Sequence, residues 1–183
     1  MSATDTPNTI PFTEEQMETM IVESVKKFFD TMLSAEVIKT ESFSIDESHR
    51  GKKWDPINTE NPIVASAVGF IGTINGVLYL YFEEPAAMKI ACGFLGMDES
   101  EVTDEGPDTV NDVLGEVSNM IVGTFKNQMC DKGYNCRLTI PSILRGQKFS
   151  IQSVSSVQRH VYRFSSMGTA FTADLLMKVG ESN

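Results

Sequence analysis

The stretch IVASAVGFIGTINGVLYLYF, residues 63–82, decides the fold. It is rich in β-branched and aromatic residues, which favour strands. Asn75 and Gly76 separate its two apolar runs, and this pair is typical of a two-residue hairpin turn whose central residues need positive φ. The stretch therefore predicts two central antiparallel strands, Ile63–Ile74 and Val77–Phe82, joined by a tight turn.

Further strands are predicted on both sides of this hairpin. Apolar and polar residues roughly alternate from Glu36 to Ile45, which indicates a strand with one buried face. The segment Glu47–Pro62 is turn-like, and its part His49–Trp54 is either a solvated loop or a small basic recognition patch. Four later segments with strand-forming residues are Tyr134–Ile140, Lys148–Ser155, Gln158–Phe164 and Thr169–Lys178.

Three helices are predicted, with approximate bounds 14–33, 85–95 and 109–130. Thr13 with Gln16 forms a capping-box pattern in front of the first. Gly96 and Gly133 suit the C-terminal ends of the other two. The acidic run 98–108 is predicted to be a connection between the second and third helices.

The order of these elements predicts an α+β fold, in which a largely antiparallel β-sheet packs against long helices in two layers. The 183 residues are enough for one domain with a substantial core. We assign this single domain to residues 12–179, a disordered N-terminal segment to residues 1–11, and a short tail to residues 180–183.

The charge of the chain excludes several function classes. Its formal net charge is -10 and its pI is about 4.6. This excess of carboxylates opposes binding to nucleic acid and to acidic membrane surfaces. Cys92, Cys130 and Cys136 lack metal-type spacing and are expected to be reduced, mostly buried thiols. The N-terminus lacks the basic and apolar pattern of a secretory signal, so we expect a cytoplasmic protein.

The third helix carries the residues of most chemical interest. At about 100° per residue, one face collects an apolar stripe that should pack on the sheet: Val110, Val113, Leu114, Val117, Ile121 and Phe125. Asn119 falls nearly opposite this stripe, and Glu116 lies one turn earlier, toward its edge. Residues three apart are neighbours on a helix surface, so a carboxylate and an amide lie side by side, with Asn119 outermost.

Two glycines, Gly115 and Gly123, lie one turn before and one turn after Asn119. Each costs a helix about 1 kcal/mol relative to alanine, so each needs a compensating reason. One interpretation is that they leave Asn119 projecting from bare backbone into the cleft of another protein. The other is that they admit a closely packed element of the same chain, and the sequence leaves both open.

Residues 112–123, Asp-Val-Leu-Gly-Glu-Val-Ser-Asn-Met-Ile-Val-Gly, resemble the active-site helix of the CheX and CheC chemotaxis phosphatases. The signature of that helix is Leu-Gly-Glu-x-x-Asn. Residues 67–72 also resemble the first central strand of that family, and residues 140–146 resemble its proline-containing loop between strands. The resemblance covers roughly residues 12–179. The first helix has no second Glu-x-x-Asn pair, which resembles the CheX-like branch with one site per chain.

This resemblance implies a protein phosphatase that hydrolyses the aspartyl phosphate of a CheY-type response-regulator receiver domain. It implies no cofactor or metal of the enzyme's own, because the receiver supplies both the phosphoaspartate and Mg²⁺. Asn119 matches the asparagine that would orient the attacking water, and Glu116 matches the glutamate that would pair with the receiver's lysine. The resemblance also implies a homodimer joined through its sheets. The alternative is a non-catalytic module of the same fold that binds a receiver or the flagellar switch.

Other reactive side chains are weaker candidates. His49 lies in a predicted loop without a nearby carboxylate motif, and His160 lies in a predicted strand. Ser118 has no histidine at a recognisable spacing and no strand-turn-helix elbow. We therefore assign none of the three a catalytic role.

Overall fold

The computed structural model describes residues 10–45, 56–57, 59–147 and 157–180, and these form four helices and seven strands. The helices are α1 (Glu14–Leu33), α2 (Glu84–Leu95), α3 (Glu99–Glu105) and α4 (Pro107–Asp131). The strands are β1 (Val37–Ser44), β2 (Ile63–Gly72), β3 (Ile74–Glu83), β4 (Cys136–Leu138), β5 (Ser142–Gly146), β6 (Gln158–Ser166) and β7 (Thr169–Val179). The predicted strand Lys148–Ser155 and the His49–Trp54 loop lie outside the described residues.

The seven strands belong to one antiparallel sheet with the order β1-β6-β7-β3-β2-β4, and β5 also pairs with β2. On one side β2 pairs with β3, and on the other it pairs first with β5 and then with β4. The prediction of an α+β fold with an antiparallel sheet against helices is confirmed.

One face of the sheet carries the helices. A single apolar cluster joins the inward residues of the strands to α1, α2 and α4. Phe171 of β7 stacks on Phe29 of α1 and on Phe82 of β3, with ring centroids 5.1 and 5.4 Å apart. Each buried phenylalanine contributes about 1.5–3 kcal/mol relative to an exposed one, so these contacts fix α1 firmly on the sheet. Ile10, in the segment predicted to be disordered, is buried in the same cluster.

The opposite face of the sheet contains a buried ion pair. Arg159 of β6 donates to Asp174 of β7 from Nε at 2.9 Å and from Nη2 at 2.6 Å, and both side chains are buried. Thr172 donates from its hydroxyl to the carbonyl oxygen of Pro56 at 2.8 Å. The chain around Pro56 therefore covers part of this face. Removing one partner of such a pair leaves a buried charge and costs far more than the pair contributes.

The ends of the helices follow the predicted signals with one exception. The capping box of Thr13 and Gln16 is present at α1, and Gly96 adopts the left-handed conformation after α2. The interpretation of the acidic run 98–108 as a plain connection is wrong, because it contains α3. Asp98 accepts from the backbone N–H of Glu101 at 2.9 Å, and this second capping box was the signal that the sequence offered.

The stretch 140–146 also differs from its predicted form. It was interpreted as a loop by resemblance, but Ser142–Gly146 forms β5 and pairs with β2 from Ile63 to Ala67. Only residues 139–141 connect β4 to β5 without strand structure. Pairing along β2 therefore continues on both sides of a short interruption.

The turn of the central hairpin lies earlier than predicted. Phe70 is the last residue of β2 to pair with β3, opposite Gly76, and only Thr73 lies between Gly72 at the end of β2 and Ile74 at the start of β3, so Gly76 belongs to β3. Gly76 has no positive φ. It is required by close packing instead, because a Cβ there would overlap the carbonyl oxygen of Leu176 and lie within 2.8 Å of the Phe70 ring. The two strands diverge after this pair because their ends pair outward, Gly72 with Cys136 in β4 and Ile74 with Val179 in β7.

We expect Gly76→Ala to lower the free energy of unfolding by about 1–3 kcal/mol, because overpacking forces the strand and the Phe70 ring apart. Thermal unfolding followed by circular dichroism measures this change. Thr73→Ala, in the exposed loop of the same hairpin, is the matched control and should stay within about 0.5 kcal/mol of wild type. Equal stability of the two variants would contradict the close approach at Gly76.

Candidate active site

Helix α4 lies on the sheet with the predicted face inward. The whole apolar stripe is buried: Val110, Val113, Leu114, Val117, Ile121 and Phe125. Ser118, in the same face, is fully buried and its hydroxyl forms a short hydrogen bond with the hydroxyl of Ser66 in β2. These contacts fix how α4 is rotated about its axis. They also remove Ser118 from any role as an exposed nucleophile.

Glu116 and Asn119 lie one turn apart on the side of α4 that leaves the sheet, but their exposure is the reverse of the prediction. Glu116 is exposed, whereas Asn119 is half-buried. The prediction that Asn119 is the outermost residue is therefore wrong. The helical projection placed Asn119 away from the sheet, but it could not show that a second helix lies beside α4 there.

That second helix is α1. Gln128 of α4 donates from its amide nitrogen to the carbonyl oxygen of Met20 at 3.2 Å and to the hydroxyl of Ser24 at 3.1 Å. Both acceptors are on α1. The two helices therefore lie side by side, and one edge of the α4 surface faces α1 rather than solvent.

Between the two helices lies an open groove of about 270 Å³ that contains Asn119. Its wall on α4 continues along Met120, Gly123, Thr124 and Asn127, and its wall on α1 consists of Lys27, Phe28 and Thr31. Thr31 donates from its hydroxyl to the carbonyl oxygen of Lys27 at 2.6 Å. Asn119 thus lies in a groove lined by both polar and apolar residues. The sequence pattern of α1 does not indicate that this helix forms one wall of the groove, because Lys27 and Thr31 look like ordinary exposed helix residues.

The two glycines near Asn119 have different surroundings. Gly115 is buried, and a Cβ there would lie 3.6 Å from the ring of Pro141. Gly123 is half-buried in the groove, and a Cβ there would approach only Leu138, at 4.0 Å. Both distances are ordinary van der Waals contacts. The packing of this chain therefore accepts alanine at either position, and close packing alone does not explain the two glycines.

The surface around Glu116 is acidic. Asp108, Asp112 and Glu116 are exposed along the same helix. At its N-terminal end, Arg145 of β5 donates to Asn111 at 2.9 Å and forms an ion pair with Glu84 at 2.8 Å, so this cation is already engaged. An acidic surface next to an amide can attract a cationic side chain of another protein, and it repels a free phosphate.

Among residues 10–45, 56–57, 59–147 and 157–180, no cluster of histidine, cysteine and carboxylate side chains could hold a metal ion. No helix in that part of the chain is long and apolar enough to cross a membrane. The three cysteines are free and half-buried, rather than mostly buried as predicted. Burial raises the pKa of Cys136 to about 11, which keeps its thiol protonated and unreactive near neutral pH.

The family of the chain follows from its sequence. The model of the family described as chemotaxis phosphatase CheX matches residues 64–165, more than half of the chain, and this part includes Glu116 and Asn119. The chain belongs to the CheX family. The sequence matches none of the curated proteins with which it was compared.

Solved structures of CheX and CheC-like proteins share the fold. A CheC-like protein from Shewanella sp. PV-4 has 23% identity and a TM-score of 0.70, over 88% of this chain and 96% of its own. CheX from Desulfovibrio desulfuricans has 20% identity and a TM-score of 0.68, over 87% and 97%. CheX from Borrelia burgdorferi, solved in a complex with CheY, BeF₃ and Mg²⁺, has 17% identity and a TM-score of 0.68, over 90% and 98%.

His160 lies far from the groove in this CheX-family chain. Its Nδ1 is 2.9 Å from the hydroxyl of Ser44, which also donates to Glu14 at the start of α1. At about 1.5 Å per residue, Glu14 and Lys27 are roughly 20 Å apart along α1. His160 is also buried, and this burial lowers its pKa. Its position and burial indicate a structural role, while His49 lies outside the described residues.

We expect His160 to make the fold less stable in mild acid. Its pKa is lowered by burial in the folded chain, whereas an unfolded histidine titrates near 6.5, so the unfolded state binds the proton first. The contribution of neutral His160 to the free energy of unfolding is therefore fully present above about pH 6.5. It decreases as the pH falls below this value, by up to about 1.4 kcal/mol per pH unit. Urea unfolding at pH 7 and pH 5.5 should show a smaller loss for His160→Gln than for wild type. An equal loss of unfolding free energy in wild type and in His160→Gln between pH 7 and pH 5.5 would show that His160 is not the group responsible.

Proposed function

We propose that this chain dephosphorylates a CheY-type receiver domain, with Asn119 orienting the attacking water and Glu116 docking the partner. The observation that carries the proposal is the arrangement of these two side chains on α4, one turn apart, with the carboxylate exposed and the amide held in a groove. Both lie within the part of the chain that matches the CheX family. We expect the reaction to take place in the cytoplasm.

An amide suits the role of Asn119 because it donates and accepts hydrogen bonds without adding charge. Attack on a phosphoryl group needs a water in line with the leaving oxygen, and an amide can hold that water through both functions. Half-burial between α1 and α4 restricts the rotamers of Asn119. We propose that this position is close to the one the side chain takes in the complex, which would lower the entropic cost of reaching the transition state.

The exposed carboxylate of Glu116 is placed to meet a cation on the partner. Next to a phosphoryl group it would be repelled, unless a lysine of the receiver lies between the two. Pairing with that lysine would fix the docking register of α4 on the receiver. The chain then needs no metal of its own, because the receiver carries Mg²⁺ with its phosphoaspartate. The complex of CheX with CheY, BeF₃ and Mg²⁺ from Borrelia burgdorferi supports the choice of partner class.

The decisive experiment measures how long a phosphorylated receiver keeps its phosphoryl group. CheY-type receivers of the same organism are purified, phosphorylated with radiolabelled phosphate and mixed with wild type, Asn119→Ala or Glu116→Ala. We expect wild type to accelerate phosphate loss and Asn119→Ala to abolish nearly all of the acceleration, since positioning of water is lost. Glu116→Ala should mainly raise KM, because docking is weakened.

Asp131→Asn, an exposed change at the far end of α4, is the control and should keep wild-type activity. Circular dichroism of all three variants excludes unfolding as the cause. If wild type binds receivers but leaves the lifetime of every one unchanged, the proposal fails and the chain is a binding module of the same fold.

We also propose that the chain forms a homodimer joined at a sheet edge. Large apolar side chains are exposed at two strands that end the described sheet, Ile38 of β1 at 56% and Leu144 of β5 at 45%. Strand edges of this kind pair readily with another chain.

Light scattering should give twice the chain mass of 20.2 kDa for wild type. Leu144→Lys and Ile38→Lys serve as controls for each other. The variant that returns a monomer identifies the edge that pairs, because a buried unpaired charge opposes association. A monomer mass for wild type at all accessible concentrations would contradict the dimer.

A further inference from the structure

The groove beside Asn119 has a cation in its lining. Among the described residues that line it, Lys27 of α1 is the only one with a charged side chain, and the others are apolar or neutral polar. This cation stands in a chain with a net charge of -10, next to a helix surface that carries Asp108, Asp112 and Glu116. Lys27 therefore differs in charge from this acidic surface, and Lys126 of α4 adds a second cation beside the groove by donating to Asn127 at 3.2 Å.

The ammonium of Lys27 is exposed and available to a partner. Glu23 and Asp30 lie on the same helix at spacings that often give ion pairs. Nevertheless, within the described ranges no carboxylate forms an ion pair with Lys27. A flexible exposed lysine of this kind can turn toward the mouth of the groove without breaking an interaction inside the chain.

A phosphorylated receiver would bring negative charge to this groove. Its active site holds the phosphoaspartate, and Mg²⁺ sites are built from carboxylates together with phosphate oxygens. The acidic surface of α4 opposes the approach of such a site, except where Glu116 meets a cation. A second favourable contact on the other side of Asn119 would offset this repulsion and hold the receiver from two sides.

We infer that Lys27 is a docking residue for the receiver, contacting the anionic rim of its phosphorylated pocket while Asn119 acts on the phosphoryl group. This inference rests on the proposed function. It adds a residue of α1 to a site otherwise confined to α4, and it makes the groove between the two helices a single docking surface. Lys27 acts on binding rather than on the bond that breaks.

The test uses the full chain and a CheY-type receiver that wild type has been found to dephosphorylate. Lys27→Met removes the charge and keeps the aliphatic stem, and Lys27→Arg restores the charge. Lys26→Met is the matched control, since Lys26 is also exposed and both lysines line a neighbouring groove toward β1, but only Lys27 lines the groove of Asn119. KM and kcat are measured for each at low and high salt.

We expect Lys27→Met to raise KM roughly fivefold at low salt, the size of one partly solvated ion pair, and to leave kcat within about twofold. Lys27→Arg should return KM to wild type. The difference in KM between Lys27→Met and wild type should shrink toward 1 M salt, where the screening length falls to about 3 Å.

Equal KM values for Lys27→Met and Lys26→Met would overturn the inference, and so would a change confined to kcat. If wild type accelerates phosphate loss from no receiver, the proposed function fails first. The two failures are therefore distinguished by the wild-type measurement alone.

Discussion

The rotation of α4 about its own axis is the constraint on which the candidate site depends. An apolar stripe along this helix packs on the sheet, and the buried hydroxyl of Ser118 meets that of Ser66 in β2. Apolar packing alone tolerates small rotations, whereas a buried hydroxyl without its partner would cost about 1–3 kcal/mol. The hydrogen bond between Ser118 and Ser66 therefore restricts the rotation of α4 more narrowly than apolar packing alone. Glu116 then points to solvent, and Asn119 points along the surface toward α1.

Helix α1 forms the second wall of the groove that contains Asn119. Phe29 anchors the helix on the sheet through Phe171, and Gln128 of α4 binds two acceptors on α1, the carbonyl oxygen of Met20 and the hydroxyl of Ser24. These contacts leave a groove rather than a flat surface next to Asn119. A side chain in such a groove has fewer accessible rotamers than one on an open helix.

Local signals in the sequence predicted much of this structure. Helical periodicity identified the buried face of α4, and the capping box at Thr13 located the start of α1, because both depend on residues close in sequence. The position of the hairpin turn, by contrast, depends on long-range contacts. The turn at Asn75-Gly76 moved because its flanks pair with β4 and β7, and Gly76 serves close packing instead. Helix α3 was missed although Asp98 and Glu101 form a recognisable capping box.

The candidate site was predicted in its residues but not in its shape. Glu116 and Asn119 were identified from a short motif, whereas their relative exposure depends on α1, which lies about 100 residues away in sequence and whose packing no pattern in α4 encodes. Helical projection treats everything opposite the sheet as solvent. It therefore made Asn119 the outermost residue, when it is the more protected of the two.

The acidic surface has a consequence for which phosphates this site can act on. A free phosphate monoester carries only negative charge, so the exposed carboxylates of Asp112 and Glu116 repel it. Under the proposed function, a receiver would bring its own cations and would turn Glu116 from a source of repulsion into a binding contact. The same carboxylate would then favour one protein substrate and disfavour small phosphorylated molecules. Selectivity of this kind follows from dividing the charges of one active site between two proteins.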